Sequence, residues 1–307
     1  MAENKLQMLQ AKKQTPFEIY EKLWRENPEH FDPNQSAIEI DRIHRTMELL
    51  SKKVFPISDK KVADIGCGYG VIATLLLEEG AFIDGLEISD FALKRLSALD
   101  RFTPIKGALP FTKLKDDHYE LVVCTDVIAE LDQKNLRLGI SELARIVSPS
   151  GSVLITTPLD IYSDYPLEIF LKLVETEFTV EECVVSHHSI FIRFLNFLKA
   201  PSLFWHGWKN HQFREEQLKK RTFLYLWNSA PPLAWFWRAV DLVTSPLRNW
   251  VKQNRAILAI FETVNKWVYN RGVSHVILLA KRRPIQTLTE DEAPPERPPF
   301  VKQSRWT

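Results

Sequence analysis

Apolar positions along this chain change their spacing many times, and each change marks a new element. From Pro16, the residues Phe17, Tyr20, Leu23 and Trp24 recur at helical intervals, and after Ser36, a capping residue type, Ile38, Ile40, Ile43, Met47 and Leu50 do the same. Two amphipathic helices are predicted ahead of the first strand. Val62, Ala63, Ile65 and Cys67 form a short apolar run bounded by glycines, and Val71 to Leu77 continues it at helical length. Gly66, Gly68 and Gly70 therefore stand where a strand turns into a helix. Phe82 to Glu87 gives a second strand, Asp90 to Leu99 a helix and Thr103 to Lys106 a short third strand. Tyr119 to Val127 lacks polar alternation, as expected at the centre of a parallel sheet. Asn135 to Val147 sets Leu136, Ile140, Leu143 and Ile146 on one helical face; Ser152 to Pro158 is a fifth strand, Pro166 to Glu177 a helix and Phe178 to His188 a sixth strand. After a long interruption, Gly272 to Arg282 supplies a seventh.

The glycine turn carries the first chemical information. Glycine tolerates φ > 0 and lets a ligand approach bare backbone, while the free N–H groups of the following helix favour an electron-rich or anionic group. A small cofactor is the expected occupant. A dinucleotide fingerprint would be G-x-G-x-x-G, but here Val71 stands where its third glycine belongs, which weakens a nicotinamide reading.

Asp64-Ile65-Gly66-Cys67-Gly68-Tyr69-Gly70 resembles the D-x-G-x-G-x-G loop of class I S-adenosylmethionine (SAM) methyltransferases. Glu87, at the end of the second strand, matches the acid that in this family accepts both ribose hydroxyls, and a carboxylate with two oxygens suits a vicinal diol. Gly107-Ala108-Leu109-Pro110-Phe111 resembles the G-D-x-x-x-L-P-F region that meets adenine, except that Ala108 replaces the acid. Backbone groups or a neighbour such as Asp116 are then needed for that contact. Cys124-Thr125-Asp126-Val127 falls at the carboxyl end of the fourth strand, where open α/β sheets bind ligands, and the run Ser148-Pro149-Ser150-Gly151 before the fifth strand again looks like the family. The resemblance covers 61–188 and 272–282. It implies an α/β, Rossmann-like fold with a seven-stranded, mostly parallel sheet, an N-terminal helical cap (1–53), a SAM-binding core (54–188) and a helical insertion (189–271) between strands six and seven. It implies SAM as cofactor, with Asp64, Gly66, Cys67, Gly68, Gly70, Glu87, Ile88, Ala108, Leu109 and Thr125 around it. Asp126 and Glu130 are the acids expected near the transferred methyl, as proton acceptors. The loop 159–166 adds Asp160, Tyr162, Asp164 and Tyr165 on the same face.

Composition narrows the function classes. The 307 residues, 45% apolar, suffice for a real core, and a net charge of +1 argues against a strongly basic nucleic-acid binder. Cys67, Cys124 and Cys183 are widely spaced, so neither a metal site nor a disulfide framework is expected. The first residues lack an apolar signal core and no run of about 18 uncharged apolar residues occurs, which points to a cytoplasmic protein that does not span a membrane. Residues 1–15 are polar and 283–307 are rich in proline and charge, as in disordered termini.

The insertion changes the picture. It holds seven of the nine tryptophans and 13 Lys/Arg against 4 Asp/Glu, a surplus of nine in a chain whose total is +1. Three aromatic stretches are punctuated by Pro201, Pro231-Pro232 and Pro246, and in the third Ile257, Ile260, Phe261, Val264, Trp267 and Val268 share a helical face from which Glu262 is excluded. Such composition fits a subdomain that buries its own aromatics, a dimer interface, a membrane-surface or lipid-substrate contact, or nucleic acid. His187 and His188 at its border are expected to pack. The favoured reading is methyl transfer to a small, apolar or lipid-like acceptor, with peripheral membrane association; a tRNA or protein methyltransferase and a non-catalytic SAM-binding scaffold are the rivals. No oligomeric state is legible.

Overall fold

The computed structural model describes residues 15–159, 167–209, 231–268 and 273–283. The expected polar N-terminus up to residue 14, the loop acids and tyrosines at 160–166, residues 210–230 and 269–272, and the tail from 284 lie outside them. In chain order the elements are α1 (Pro16–Glu26), α2 (Ala37–Lys53), β1 (Lys61–Ile65), α3 (Val71–Glu78), β2 (Phe82–Glu87), α4 (Asp90–Leu96), β3 (Phe102–Lys106) and β4 (Tyr119–Thr125). They continue with α5 (Gln133–Ile146), β5 (Val147–Pro158), α6 (Leu167–Val174), β6 (Phe178–Ser186), α7 (Ser189–Lys209), α8 (Pro231–Gln253), α9 (Arg255–Val268) and β7 (His275–Arg282).

The strands form one sheet in the order β3-β2-β1-β4-β5-β7-β6. Neighbours from β3 to β5 are parallel, and β7 runs antiparallel to both β5 and β6. Apolar side chains leave both faces of the central strands. In β4, Val122 and Cys124 join one core with Ile140 and Leu143 of α5, while Leu121 and Val123 join a second core with Leu50 of α2 and Leu76 of α3. Helices on both faces explain why β4 shows no polar alternation. The order in which successive strands are added reverses between β1 and β4, so the crevice at their carboxyl ends is the topological switch point where such sheets bind ligands. Register brings the three strand ends level, with Ile65 opposite Leu86 on one side and Cys124 on the other. Gly66, Glu87 and Thr125 consequently face one crevice.

Local details depart from the sequence pattern in three places. Ser36 stands at the start of α2, yet its side chain makes no capping bond. Helix α5 starts earlier than Asn135, because Asp132 caps it by accepting the Asn135 N–H at 2.8 Å. Pro201 and Pro246 do not interrupt the insertion but lie inside α7 and α8, which pack along each other; Pro231 instead opens α8, where a missing N–H costs nothing.

The insertion docks on α2. Ala37, Phe191, Leu198, Val251 and Leu258 bury a small third core between α2, α7, α8 and α9. Beside it, Arg45 of α2 pairs with Asp41 at 2.7 Å and with Glu262 of α9 at 2.6 Å, and Lys266 also reaches Glu262 at 3.2 Å. His188, almost fully buried, stands 3.5 Å from Asp41. Asp41, His188 and Glu262 are close enough to suggest a cation site, but Arg45 already pairs with both carboxylates and Lys266 supplies Glu262 with a second cation. Removing it leaves buried charge uncompensated. Arg45→Ala is expected to lower unfolding stability by roughly 2–4 kcal/mol in urea titrations. Arg45→Ala/Glu262→Gln should lose less than the sum of the single changes, and strict additivity would deny the coupling.

Candidate active site

The turn after β1 is held from beneath. The N–H groups of Gly66 and Cys67 both donate to the Leu86 carbonyl, at 2.7 and 3.0 Å, and Gly70 N–H closes the turn on the Cys67 carbonyl at 2.7 Å. Gly66, Gly68 and Gly70 take φ of +73°, +52° and +71°, where side chains with a Cβ are strained. Space is equally restrictive: a Cβ on Gly66 would lie 2.2 Å from Val127 Cγ2, and one on Gly68 would lie 3.1 Å from the Trp24 ring. Trp24 of α1 is buried, stacks on Phe31 with centroids 3.8 Å apart and meets Tyr69 of the turn at 4.2 Å. The N-terminal helix thus roofs the glycine turn.

Two buried acids lie next to that turn. Glu87 Oε1 accepts the N–H groups of Ile88 and Ser89 at 2.9 and 3.0 Å, and Oε2 accepts Gly68 N–H at 3.1 Å. Burial pushes its pKa up, against the pull of those three N–H donors. Asp64 is enclosed and accepts the Ala73 N–H, but its Oδ1 has no hydrogen-bond partner; burial first, and the Glu87 charge second, raise its pKa to about 7. A buried acceptor without a donor and a second carboxylate with lone pairs left on Oε2 make a site for a ligand that carries positive charge and hydroxyls. Cys67 lines the turn as an inert thiol, its pKa raised by burial and by both acids.

The remaining expected cofactor residues divide by what they offer. Ile88 contributes its N–H to Glu87, and Thr125 sits half-buried at the end of β4. Gly107 N–H donates to the Glu87 carbonyl at 3.1 Å, so Ala108 follows directly beside the acid, with its carbonyl accepting Phe111 N–H. The Leu109 side chain is buried in the main core, which leaves only its backbone for a ligand. Asp116 does not substitute for the missing acid at Ala108. It precedes β4, at the opposite end of the strands, and its carboxylate pairs with Arg145.

Asp126 directly follows β4 at φ +59° and is tied to three further elements. Its Oδ1 accepts Thr156 Oγ1–H of β5 at 2.9 Å and lies 2.8 Å from His275 Nε2 of β7, while Oδ2 meets Arg42 Nε of α2 at 3.2 Å. Burial alone would raise its pKa; the Arg42 guanidinium, then His275 and Thr156, more than reverse this and hold it well below the usual carboxylate range. Glu130 lies outside this cluster, exposed on the short turn after Asp126. The Tyr20 hydroxyl of α1 donates to Glu130 and lies within the field of Glu87; burial and Glu130 raise the Tyr20 pKa to about 12. Glu21, the next residue, accepts Ser89 Oγ–H at 2.6 Å and Phe91 N–H at 3.3 Å, fastening α1 to the start of α4. The sequence reading missed Arg42, His275, Thr156 and Glu21. The nearest signal was Asp126 itself, an acid at a strand end that needed a counter-ion.

Residues 62–151 match the family model described as "Methyltransferase domain". Among curated relatives, the ubiquinone biosynthesis O-methyltransferase of Hydrogenovibrio crunogenus is 26% identical over 126 residues, 39% of this chain and 51% of the relative. The protein of the same name from Yersinia enterocolitica is 31% identical over 108 residues, 33% of this chain and 43% of the relative. This chain therefore spans about half the length of the curated relatives it matches. A solved S-adenosylmethionine dependent methyltransferase from Mesorhizobium loti is 13% identical, with a TM-score of 0.46, covering 77% of this chain and 96% of that one.

Gly66→Ala combines an unfavourable φ with the Val127 contact. It is expected to cost at least about 1–2 kcal/mol of stability in chemical denaturation. Adding Val127→Ala should return only the part due to the clash. Full recovery would mean that the backbone conformation is not the constraint.

Proposed function

We propose that this chain, which carries a methyltransferase domain at residues 62–151, is a class I SAM-dependent methyltransferase that methylates an oxygen of a small, apolar, quinone-like phenol. The observation that carries the reading is the pair of buried acids, Asp64 and Glu87, beside a left-handed glycine turn. Asp64 Oδ1 favours a cationic group and Glu87 Oε2 a ribose diol, and SAM offers both. The names of the curated relatives and the aromatic insertion, which shares helix α2 with the Asp126 cluster, support the acceptor class.

When bound, SAM supplies an electrophilic methyl on a sulfonium, with a neutral thioether leaving. The chain's own work is placement and proton transfer. Holding two reactants in line is worth about 7–11 kcal/mol of barrier, so the crevice walls do most of it. The phenol proton leaves as the new bond forms, and Glu130 takes it. Asp126 is a weaker base, because Arg42, His275 and Thr156 stabilise its charge. Its role is to fix the acceptor wall by joining β4, β5, β7 and α2.

Calorimetric titration tests the cofactor. SAM is expected to bind at micromolar Kd, and Glu87→Ala to weaken it about tenfold or more, in line with hydrogen bonds to a charged group. Near pH 7 Asp64 is part-protonated, and a cation seated beside it lowers its pKa, so binding should release up to about half a proton. Buffers of different ionisation enthalpy measure that release, which Asp64→Asn should abolish; proton uptake would contradict the assignment. With a radiolabelled methyl group and phenolic quinone precursors, Glu130→Gln should lower kcat by about a hundredfold at unchanged SAM affinity. Tight SAM binding without transfer to any phenol would leave a cofactor-binding protein and remove the acceptor class.

A further inference from the structure

Beyond the residues that reach the third core, α8 and α9 leave a broad apolar surface outside. Along α8, Trp235, Phe236, Leu242, Val243, Leu247 and Trp250 fall on one stripe and are exposed, with Leu242 and Val243 at 70% and 72%. The opposite side, turned toward the protein, carries Asp241, Thr244, Ser245 and Arg248. There Arg248 pairs with Asp241 at 3.7 Å and donates to Ser245 Oγ at 3.2 Å. In α9 the order is the same. Ile260, Val264 and Trp267 face out, Trp267 at 89% exposure, while Glu262 and Asn265 are buried alongside Leu258. A soluble surface helix does the reverse.

The charges that accompany this apolar surface have one sign. Arg238, Lys252, Arg255 and Lys266 are exposed, whereas the two acids of these helices, Asp241 and Glu262, are turned inward and paired with cations. Arg238 also lies over the Trp235 ring, 5.2 Å from its centroid. We propose that the outward faces of α8 and α9 dock on the surface of an anionic lipid bilayer. Aromatic and aliphatic side chains enter the boundary between headgroups and acyl chains, and the basic residues meet lipid phosphates. Among the described residues no helix is long and apolar enough to cross the membrane, so the helices lie in its plane. A second copy fits poorly, since a two-fold contact would set the same basic residues against each other. Nucleic acid meets the charge but leaves Leu242, Val243 and Ile260 unused. The proposal does not depend on methyl transfer.

The full chain should float with vesicles of phosphatidylglycerol and phosphatidylcholine in a sucrose gradient, and about tenfold less with phosphatidylcholine alone. Leu242→Glu/Leu247→Glu, both exposed changes, should abolish flotation with an unchanged circular dichroism spectrum and unchanged SAM titration. Lys252→Glu/Arg255→Glu should remove the preference for the anionic vesicles. Three results would overturn docking. One is a wild-type chain that stays with neither vesicle. Another is a dimer, split by Leu242→Glu, that does not float. The third is RNA retention that Leu242→Glu leaves intact while vesicles are ignored. Because SAM binding is read in the same samples, loss of docking with SAM still bound would leave the cofactor assignment standing.

Discussion

A carboxylate drawn partly out of water is met by cations and donors, and in this protein one carboxylate gathers them from across the fold. Asp126 accepts from Thr156 on β5, stands against His275 on β7 and pairs with Arg42 on α2, while its own N–H donates to the Thr156 carbonyl at 2.9 Å. If any of these elements shifts, a part-exposed carboxylate loses compensation, at a cost that its contact with solvent reduces. The far half of the crevice, the part that is not glycine turn, is therefore fixed by electrostatics as much as by packing. The same bonds make Asp126 a weak base. Organising a wall and accepting a proton make opposite demands on a carboxylate, and the proposed division of labour assigns the first to Asp126 and the second to the exposed Glu130.

The half beside the glycine turn works by the opposite logic. Asp64 and Glu87 are buried near each other, their hydrogen bonds come from backbone N–H groups, and both are pushed toward the neutral form. Such a pair is a standing electrostatic cost that a cationic ligand relieves, so binding energy is stored in the ligand-free site. Trp24 and Tyr20 of α1 lie over this half and Glu21 fastens the helix to α4, which links the seating of α1 to the occupancy of the turn.

How much of this was legible depended on the range over which each feature is encoded. The glycine turn was readable because a positive φ is a property of a few consecutive residues, and Glu87 because it ends a strand that the apolar pattern already marked. β4 was readable from a run without alternation, since both its faces meet helices. The Asp126 cluster was not readable, because His275 is 149 residues away and only the β5-β7-β6 strand order brings it there. Asp116 looked usable for adenine because it is near Ala108 in sequence, yet the intervening strand boundary puts it at the wrong end of the sheet. Pro201 and Pro246 looked like punctuation, but packing between α7 and α8 carries both helices through them.

The insertion shows a subtler limit. Helical spacing in α9 separates an apolar stripe from Glu262 whichever way the helix is turned, and the default is to turn the stripe inward. Here the stripe is split: Ile257 and Phe261 pack against the third core, while Ile260, Val264, Trp267 and Val268 stay outside. Arg45 draws Glu262 inward at 2.6 Å, and within α8 Arg248 holds Asp241 on the side facing the protein. Asp241 and Glu262 therefore close on the protein together with Val251, Leu258 and Phe261, while Trp235, Trp250, Ile260, Val264 and Trp267 are left outside. Helix α2 carries Arg42 toward the Asp126 cluster and, less than one turn further on, Arg45 toward the insertion. The crevice wall and the outward aromatic surface are thus positioned by the same element, and a displacement of α2 would be felt at both.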